Sequence, residues 1–309
     1  MINYLRDEGI PSHILNDILN FTDKYPVLPE QKGRIPVPSH FYYGKEIWEE
    51  ALCAILSGKN LLLVGPKATG KNIFAENLAA AFGRPRWDIS FHINMDASTL
   101  IGTDTFQEGH VVFRPGPVSN CAKFGGFGIL DEINMAKNEA LAVLHAALDF
   151  RRVIDIPGYD RICLHPATRF IATMNYGYAG TRELNEALTS RFAVIQMPGI
   201  TYEYLQRLLC AEFPKIREKC AQQFAALFLE LQKKCENSEI SSRPLDLRGL
   251  LDAVSLMEQG LEAHTALDMG ITNKSFDQYE RTLIQDIIRA RLPKHLRPSA
   301  IFERERHEP

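Results

Sequence analysis

The sequence predicts an α/β fold: a three-layer αβα core with a parallel sheet and inserted β-hairpins, followed by a small all-α domain. Three observations predict it. Between residues 41 and about 200, short apolar runs alternate with helical segments, which is typical of a parallel sheet covered on both faces. Two stretches of this region break the rhythm and have the glycine turn and flanking alternation of hairpins. After Pro198 the pattern is that of amphipathic helices.

The 309 residues are enough for two modest domains. Residues 1–40 are expected to form a short helix and a connector whose four prolines prevent it from continuing as helix. The αβα core is assigned to residues 41–200 and the small helical domain to residues 201–292. Residues 293–309 are charged and contain proline, and we expect them to form a flexible tail.

Short apolar runs predict the strands, and apolar periodicity predicts the helices. The sheet strands are expected at Asn60–Val64, Trp87–Phe91, Gly128–Leu130, Phe170–Thr173 and Ala193–Gln196. The core helices are expected at Lys45–Leu56, at Lys71–Ala81, from Val118 onward and at Lys137–Leu148. The hairpins are expected at Phe106–Pro115 and Arg152–His165. The helices of the second domain are expected within Tyr202–Lys234, Leu247–Glu262 and Tyr279–Arg291.

Composition restricts the class of protein. A net charge of −3 and a pI near 6.3 argue against a protein whose main task is to coat nucleic acid. The six cysteines form no C-x-x-C pair, which indicates reduced thiols in a reducing compartment. Acidic residues interrupt the apolar N-terminal stretch, and no window has the apolar length of a membrane span. We therefore expect a cytoplasmic protein.

The strongest motif is an apolar strand that leads into G-x-x-x-x-G-K and then a helix. Its residues are Gly65, Pro66, Lys67, Ala68, Thr69, Gly70, Lys71 and Asn72. The glycines allow backbone N–H groups to surround phosphates, and the helix start adds a partial positive charge. Lys71 would reach the β- and γ-phosphates of a nucleotide. The alternative is a glycine-rich turn with a surface lysine, but strand, loop and helix occur here in the required order.

Position 72 departs from the usual form of this motif. A Ser or Thr normally stands there, and its hydroxyl binds Mg²⁺. The amide oxygen of Asn72 is an acceptable ligand for the same ion. We therefore expect Asn72 to affect the rate of turnover more than nucleotide binding.

Two further strands end in polar residues. The run Phe127–Leu130 ends in Asp131, which would hold Mg²⁺, and in Glu132, which would activate the attacking water. The run Phe170–Met174 ends in Asn175, which could hydrogen-bond the γ-phosphate or the water. An asparagine in this position alone more often caps a turn.

Two arginines are further candidates, although an isolated arginine is usually a solvated surface residue. Arg191 immediately precedes a strand, and Arg243 lies at a helix start in the second domain.

In their order and spacing, these motifs resemble an AAA+ ATPase. The segments GILDEINMA, FIATMN, LNEALTSRF and SSR carry the resemblance. More narrowly, the chain is similar to the MoxR/CbbQ/NorQ group, which is also grouped with the dynein-related AAA ATPases. STLIGT followed by FRPGP, and LDFRRV followed by IPG, are similar to the two hairpin segments of that group. The similarity covers roughly residues 40–250.

The resemblance implies ATP and Mg²⁺ as cofactors, and a ring, usually a hexamer, with ATP bound between neighbouring subunits. Arg191 then matches the arginine finger that acts on the neighbour's γ-phosphate, and Arg243 matches the sensor-2 arginine of the helical lid. His92 or Asn94 would be the polar switch that holds Glu132 away from the water. The hairpins would engage substrates. Relatives often act with a von Willebrand factor A domain partner to remodel a target enzyme or load it with metal.

Three functions remain open on the sequence. The leading one is a ring-forming ATPase that remodels or activates a protein complex. The second is a nucleic-acid motor, such as a restriction translocase or a helicase loader, which the acidic pI disfavours. The third is a slowly hydrolysing nucleotide-gated switch, motivated by Asn72. Neither nucleic acid nor a membrane is an expected partner, and the preference for ATP over GTP rests on the resemblance alone.

Overall fold

The computed structural model describes residues 1–67, 69–175, 184–241 and 244–303. Two predicted site residues, Ala68 and Arg243, lie outside these described residues. The chain divides into two units, Met1–Gly199 and Ile200–Pro309.

Strands in the described residues fall into one sheet and two hairpins. In chain order they are β1 (Asn60–Gly65), β2 (Arg86–Ser90), β3 (Gly102–Gln107), β4 (His110–Pro115), β5 (Phe127–Asp131), β6 (Val153–Ile154), β7 (Ile162–Cys163), β8 (Arg169–Asn175) and β9 (Phe192–Gln196). Described residues of the first unit form a five-stranded sheet in the order β2-β5-β8-β1-β9, with every pairing parallel. The predicted parallel sheet and both inserted hairpins, β3-β4 and β6-β7, are confirmed.

Helices flank the sheet and make up the second unit. In the first unit they are α1 (Ile2–Asp7), α2 (Ser12–Lys24), α3 (Lys45–Leu56), α4 (Lys71–Ala81), α5 (Ala97–Ile101), α6 (Pro117–Phe124), α7 (Asn138–Leu141), α8 (His145–Leu148) and α9 (Glu186–Thr189). In the second unit they are α10 (Tyr202–Glu212), α11 (Glu218–Glu236), α12 (Leu247–Glu258), α13 (Ala263–Gly270), α14 (Gln278–Arg291) and α15 (Pro298–Ile301). Among the described residues, none of these helices has the length and apolar character needed to cross a bilayer.

The helix predicted at Lys137–Leu148 is interrupted. The structure has α7, then a 3₁₀ turn at Ala142–Leu144, and then α8. Leu141, Leu144 and Ala147 are all fully buried at a spacing of three residues. A 3₁₀ turn aligns side chains at this spacing, whereas a regular α-helix rotates them away from one another. Burial of this row therefore favours the tighter turn.

The C-terminal segment differs from the expected flexible tail. Leu296, Ile301 and Phe302 are buried, and α15 lies within this segment. The Arg217 N–H donates to the Ile301 carbonyl at 2.9 Å, and the Glu303 N–H donates to the Lys215 carbonyl at 2.8 Å. Apolar side chains between the charged ones thus hold the segment against its own unit as far as residue 303.

Two buried arginines fix the loops at the amino end of the sheet. Arg84 Nε donates to the Gly125 carbonyl at 2.7 Å. Arg169 donates from Nε to the Ile55 carbonyl at 3.1 Å and from Nη1 to the Pro166 carbonyl at 2.8 Å. Burial lowers the pKa of each guanidinium to about 10, so both remain charged at neutral pH. Carbonyl groups from separate loops are thereby held together at this edge.

Adding a side chain at Gly128 would test how tightly the central strands are packed. A Cβ at this position would lie 2.6 Å from the Phe170 ring and 3.2 Å from Cys121 Sγ. We expect Gly128→Ala to lower the free energy of unfolding by about 1–3 kcal/mol because it overpacks a buried strand. Urea unfolding measures this. Gly33→Ala is the control, since nothing lies within 4 Å of its added Cβ. Equal stabilities of the two variants would contradict the prediction.

Candidate nucleotide-binding site

Three neighbouring strands end together at the carboxyl edge of the sheet. β1 and β8 pair so that Gly65 lies opposite Asn175. β5 and β8 pair through Leu130 and Ala172, so Asp131 follows beside the next residue of β8. The sheet thereby brings the predicted phosphate loop, the acidic strand end and Asn175 to one edge.

The phosphate loop requires glycine at both ends. A Cβ on Gly65 would lie 2.8 Å from the Met197 carbonyl oxygen, so a larger residue would push β1 away from the chain that follows β9. Gly70 has a φ of 79° and lies in the left-handed region directly before α4. The first turn of α4 contains no acidic residue. Its partial positive charge therefore remains available to an anion.

Lys71 is buried, and its ammonium group lies within the loop. Nζ donates to the Gly65 carbonyl at 3.0 Å, to the Pro66 carbonyl at 2.6 Å and to Thr69 Oγ1 at 3.2 Å. Burial lowers the pKa of Lys71 to about 8, while Asp131 and Glu132 act in the opposite direction. The lysine is therefore close to the acidic strand end, and its charge is only weakly maintained above neutral pH.

Thr173 joins the two acidic residues. Its hydroxyl donates to Asp131 Oδ1 at 2.7 Å and accepts the Glu132 backbone N–H at 3.0 Å. Thr173 lies on β8, two residues before Asn175, and the two side chains therefore share a face of the strand. One hydroxyl group thus orients the Asp131 carboxylate and fixes the backbone that carries Glu132.

Glu132 adopts a backbone conformation that is costly for its residue type. Its φ of 54° and ψ of 46° place it in the left-handed region, which costs on the order of 1–3 kcal/mol for a residue other than glycine. Asn175 Nδ2 donates to Glu132 Oε1 at 3.0 Å. The Asn175 carbonyl in turn accepts from Asn134 Nδ2 at 3.0 Å. Asn175 therefore holds the Glu132 carboxylate, and Asn134 in turn holds the backbone of Asn175.

His92 and Asn94, the two residues predicted as alternatives for the polar switch, are hydrogen-bonded to each other. His92 and Asn94 follow β2, which neighbours β5, and both are exposed. The His92 Nδ1 atom accepts the Asn94 N–H at 3.3 Å. In the described residues, the side-chain hydrogen bond to the Glu132 carboxylate comes from Asn175, on the other neighbouring strand. The contact that was expected from His92 or Asn94 is thus made by Asn175.

The donors at this edge suit Mg²⁺. Asp131 offers a carboxylate, and Asn72 is exposed in the first turn of α4. Magnesium binds hard oxygen ligands, and it takes few of them from protein, the rest being water and substrate phosphate. No three His, Cys, Asp or Glu side chains of the described ranges converge as a metal cluster. The residues fit an ion that is held jointly with a nucleotide.

Arg191 lies at the opposite edge of the sheet. It directly precedes β9, and β9 pairs in parallel with β1 so that Phe192 lies opposite Asn60. β1 extends six residues from there to Gly65, a rise of about 17 Å for a strand of this length. Arg191 therefore does not join the phosphate loop of its own chain.

Arg191 contacts α8, α9 and the turn after α8. Its Nε donates to the His145 carbonyl at 3.3 Å, and its Nη1 donates to the Ala187 carbonyl. Its Nη2 lies 3.6 Å from Asp149 Oδ2. Asp149 is thus the carboxylate partner of the predicted arginine finger, and the sequence motifs gave no signal for it.

A strand–loop–helix phosphate cradle beside a carboxylate-bearing strand defines a P-loop nucleotide-binding protein. Residues 60–192 match the model of the AAA domain (dynein-related subfamily). The chain is 31% identical over 293 residues to the uncharacterized protein YojN of Bacillus subtilis, which covers 93% of this chain and 95% of that protein. It is 32% identical to the uncharacterized protein SERP0979 of Staphylococcus epidermidis, over 78% of this chain and 94% of that protein. The chain belongs to the AAA ATPase family, in its dynein-related subfamily.

Two solved structures also align with this chain. RuvB of Thermotoga maritima aligns at 15% identity, covering 80% of this chain and 71% of that chain, with a TM-score of 0.45. A proposed ATPase from Cytophaga hutchinsonii aligns at 17% identity, covering 91% and 95%, with a TM-score of 0.45.

The lowered pKa of Lys71 predicts that nucleotide binding takes up a proton. Above about pH 8 the ammonium of the free chain loses its proton, whereas a bound phosphate favours the charged form. Affinity for ATP should therefore fall as the pH rises, approaching about tenfold per pH unit. Calorimetry at pH 8.5 in buffers of different ionisation enthalpy measures the uptake.

Two comparisons control this measurement. At pH 6.5 the uptake by Lys71 should vanish because the lysine is already charged. Lys71→Arg cannot lose its proton in this range and should show no uptake by this group at either pH. Equal uptake by wild type and Lys71→Arg at pH 8.5 would contradict the assignment.

The hydroxyl of Thr173 is expected to matter more than its methyl group. Thr173→Val leaves the Glu132 N–H and one Asp131 oxygen without this partner, and we expect a loss of about 1–3 kcal/mol in unfolding free energy. ATP turnover should fall by about 10- to 100-fold because the carboxylates lose their orientation. Thr173→Ser, which keeps the hydroxyl, is the matched control. Turnover of the Val variant equal to that of the Ser variant would show that the hydroxyl has no such role.

Proposed function

We propose that the chain is a ring-forming AAA+ ATPase that couples ATP binding and hydrolysis to the remodelling or activation of a partner protein complex, as in MoxR-type chaperones and metal-insertion activases. The position of Arg191 carries this proposal, because the arginine lies at the sheet edge away from its own phosphate loop. A site that needs this guanidinium must receive it from another copy of the chain.

Different residues of the chain bind the phosphates, hold the metal ion and activate the water. The loop backbone, the start of α4 and Lys71 bind the phosphates. Asp131 and Asn72 would hold Mg²⁺, which neutralises charge on the phosphate oxygens when bound. Glu132 orients the water for in-line attack on the γ-phosphate and accepts its proton. Asn175 holds the Glu132 carboxylate through its 3.0 Å hydrogen bond and so sets when that carboxylate can reach the water.

The positions of Arg191 and the phosphate loop at opposite edges of the sheet support a head-to-tail assembly. The phosphate loop lies at the carboxyl edge of the sheet and Arg191 at the amino edge. A contact that joins unlike surfaces of identical subunits is head-to-tail, and it closes into a ring when its rotation permits. The arginine then stabilises charge on the neighbour's γ-phosphate, and hydrolysis depends on assembly. We propose a hexamer, as the resemblance implies.

The inserted hairpins support a protein client. Phe106, at the end of β3, is 77% exposed, and Val111 on β4 is also exposed. The two hairpins are joined, because the Tyr159 hydroxyl donates to Asp104 Oδ1 at 2.8 Å and the Tyr159 ring lies 5.2 Å from that of Phe113. Exposed apolar side chains on a braced insertion favour contact with protein. A von Willebrand factor A domain protein is a candidate for an accessory partner.

Two alternatives are distinguished by separate measurements. A nucleic-acid motor would bind DNA with an affinity that falls steeply with salt, which the net charge of −3 disfavours. A slowly hydrolysing switch is favoured by Asn72, since an amide replaces the usual hydroxyl at the first turn of α4. Wild-type turnover no greater than that of Glu132→Gln in an assembled ring would establish the switch. Competition with GTP tests the preference for ATP.

Glu132→Gln and Arg191→Ala are expected to bind ATP and fail to hydrolyse it, for different reasons. The first removes the carboxylate that activates the water, and the second removes the arginine that completes the neighbour's site. We expect turnover of the Arg191 variant to fall by about 10³-fold. Light scattering of Glu132→Gln with ATP should give a mass near six times that of the 35.0 kDa chain. A monomer at every nucleotide and protein concentration would refute the ring.

A further inference from the structure

A second arginine shares the carboxylate that holds Arg191. In the turn after α8, Arg151 Nε lies 3.1 Å from both Asp149 oxygens, and its Nη2 donates to Oδ2 at 2.7 Å. Arg191 Nη2 lies 3.6 Å from the same Oδ2 atom. The two guanidinium groups therefore converge on one oxygen.

In the turn after α8, two arginine cations pair with a single carboxylate, that of Asp149. Asp149 is the carboxylate that hydrogen-bonds Arg151, and Asp155 acts on that arginine only more weakly, through its charge. Burial and the charges of both arginines lower the pKa of His145, while Asp149 acts in the opposite direction. Asp149 thus hydrogen-bonds one guanidinium group and forms an ion pair with the other. A phosphoryl group, with two negative charges and several acceptor oxygens, can accept hydrogen bonds from both.

An exposed apolar side chain lies between the two residues of the Asp149–Arg151 ion pair. Phe150, between Asp149 and Arg151, is 92% exposed. Asn60 Nδ2 donates to the Leu148 carbonyl at 3.1 Å and fixes the turn at the amino end of β1. The turn is therefore separated from its own phosphate loop by the length of β1, about 17 Å. Neither arginine can serve the nucleotide of its own chain.

We infer that Arg151 is a second catalytic arginine, which contacts the phosphates of a nucleoside triphosphate bound by a neighbouring copy of this chain. It acts together with Arg191, and both move from Asp149 to phosphate oxygens when the neighbour's nucleotide is engaged. Phe150 packs against that neighbour. This inference rests on the proposed ring. It adds a residue that the motif for the arginine finger does not include.

If Arg151 only stabilised the turn, replacing it would lower stability rather than turnover. Its ion pair with Asp149 spans two residues of one turn, and the Arg151 side chain is 51% exposed. Exposed local pairs contribute little to stability. Arg151→Ala should therefore leave the unfolding midpoint unchanged, yet lower turnover by about 10²-fold. Arg151→Lys, which keeps the charge and loses the fork of donors, should retain only part of the activity.

Mixed rings decide whether Arg151 acts on a neighbour. Arg151→Ala and Glu132→Gln are each inactive alone, and they are mixed before nucleotide is added. A site formed by the loop and Glu132 of one variant and the Arg151 of the other is complete. In an equal random mixture about a quarter of the sites are complete, and turnover should recover to that fraction of wild type. Arg289→Ala, at a largely exposed arginine of the second unit, is the control and should match wild type.

The other outcomes of the mixing test distinguish failure of the role of Arg151 from failure of the proposed ring. Recovery with Arg191→Ala plus Glu132→Gln, but not with Arg151→Ala plus Glu132→Gln, overturns the role of Arg151 and leaves the ring ATPase intact. Failure of both mixtures together with a monomeric mass overturns the proposed function itself. Full turnover of Arg151→Ala alone also overturns the inference. If Arg151→Ala unfolds at a lower temperature, Arg151→Gln, which keeps most of the side-chain length, replaces it in the same mixing test.

Discussion

Parallel pairing of β8 with both β1 and β5 is the constraint on which the rest of the site depends. It sets Gly65 opposite Asn175 and places Asp131 beside Thr173. A slip of one residue would turn every side chain of β8 to the other face and separate the hydroxyl from both acidic residues. Asn60 helps to fix this register, because its Oδ1 accepts the Phe170 N–H at 2.9 Å.

The amino and carboxyl edges of the sheet differ in how their polar residues are held. At the amino edge, Arg84 and Arg169 are buried and satisfied by carbonyl groups, so the loops there are fixed by many short hydrogen bonds. At the carboxyl edge, Glu132 is held in a left-handed conformation and Lys71 loses part of its preference for the charged form. Strain and desolvation are tolerated at this edge because the register beneath it is fixed. The strained and desolvated groups thus lie at one end of the strands, and the buried arginines that fix the loops lie at the other.

Local patterns in the sequence predicted the helices and strands well. They did not predict contacts between residues that are far apart in the chain. The helix Lys71–Ala81 has the predicted bounds because a left-handed glycine marks its start. The part played by Thr173 was missed, since a threonine in an apolar strand is common and its function depends on pairing with β5. Asp149 was missed as the partner of Arg191 for the same reason: 42 residues separate them. The segment that ends at residue 303 was misjudged because its charged residues obscured the few apolar ones that pack.

The exposure of the ion pairs at Asp149 suits contacts that are exchanged during a cycle. The Asp149 side chain is 12% exposed and that of Arg191 is 22% exposed, so water reaches both. Separating a fully buried pair would cost about 3–5 kcal/mol, since it leaves an unpaired charge in a medium of low dielectric. A partly hydrated pair costs far less to separate. In the proposed ring, a neighbour's phosphate of greater charge would draw the arginines away from Asp149, which holds them in place until then.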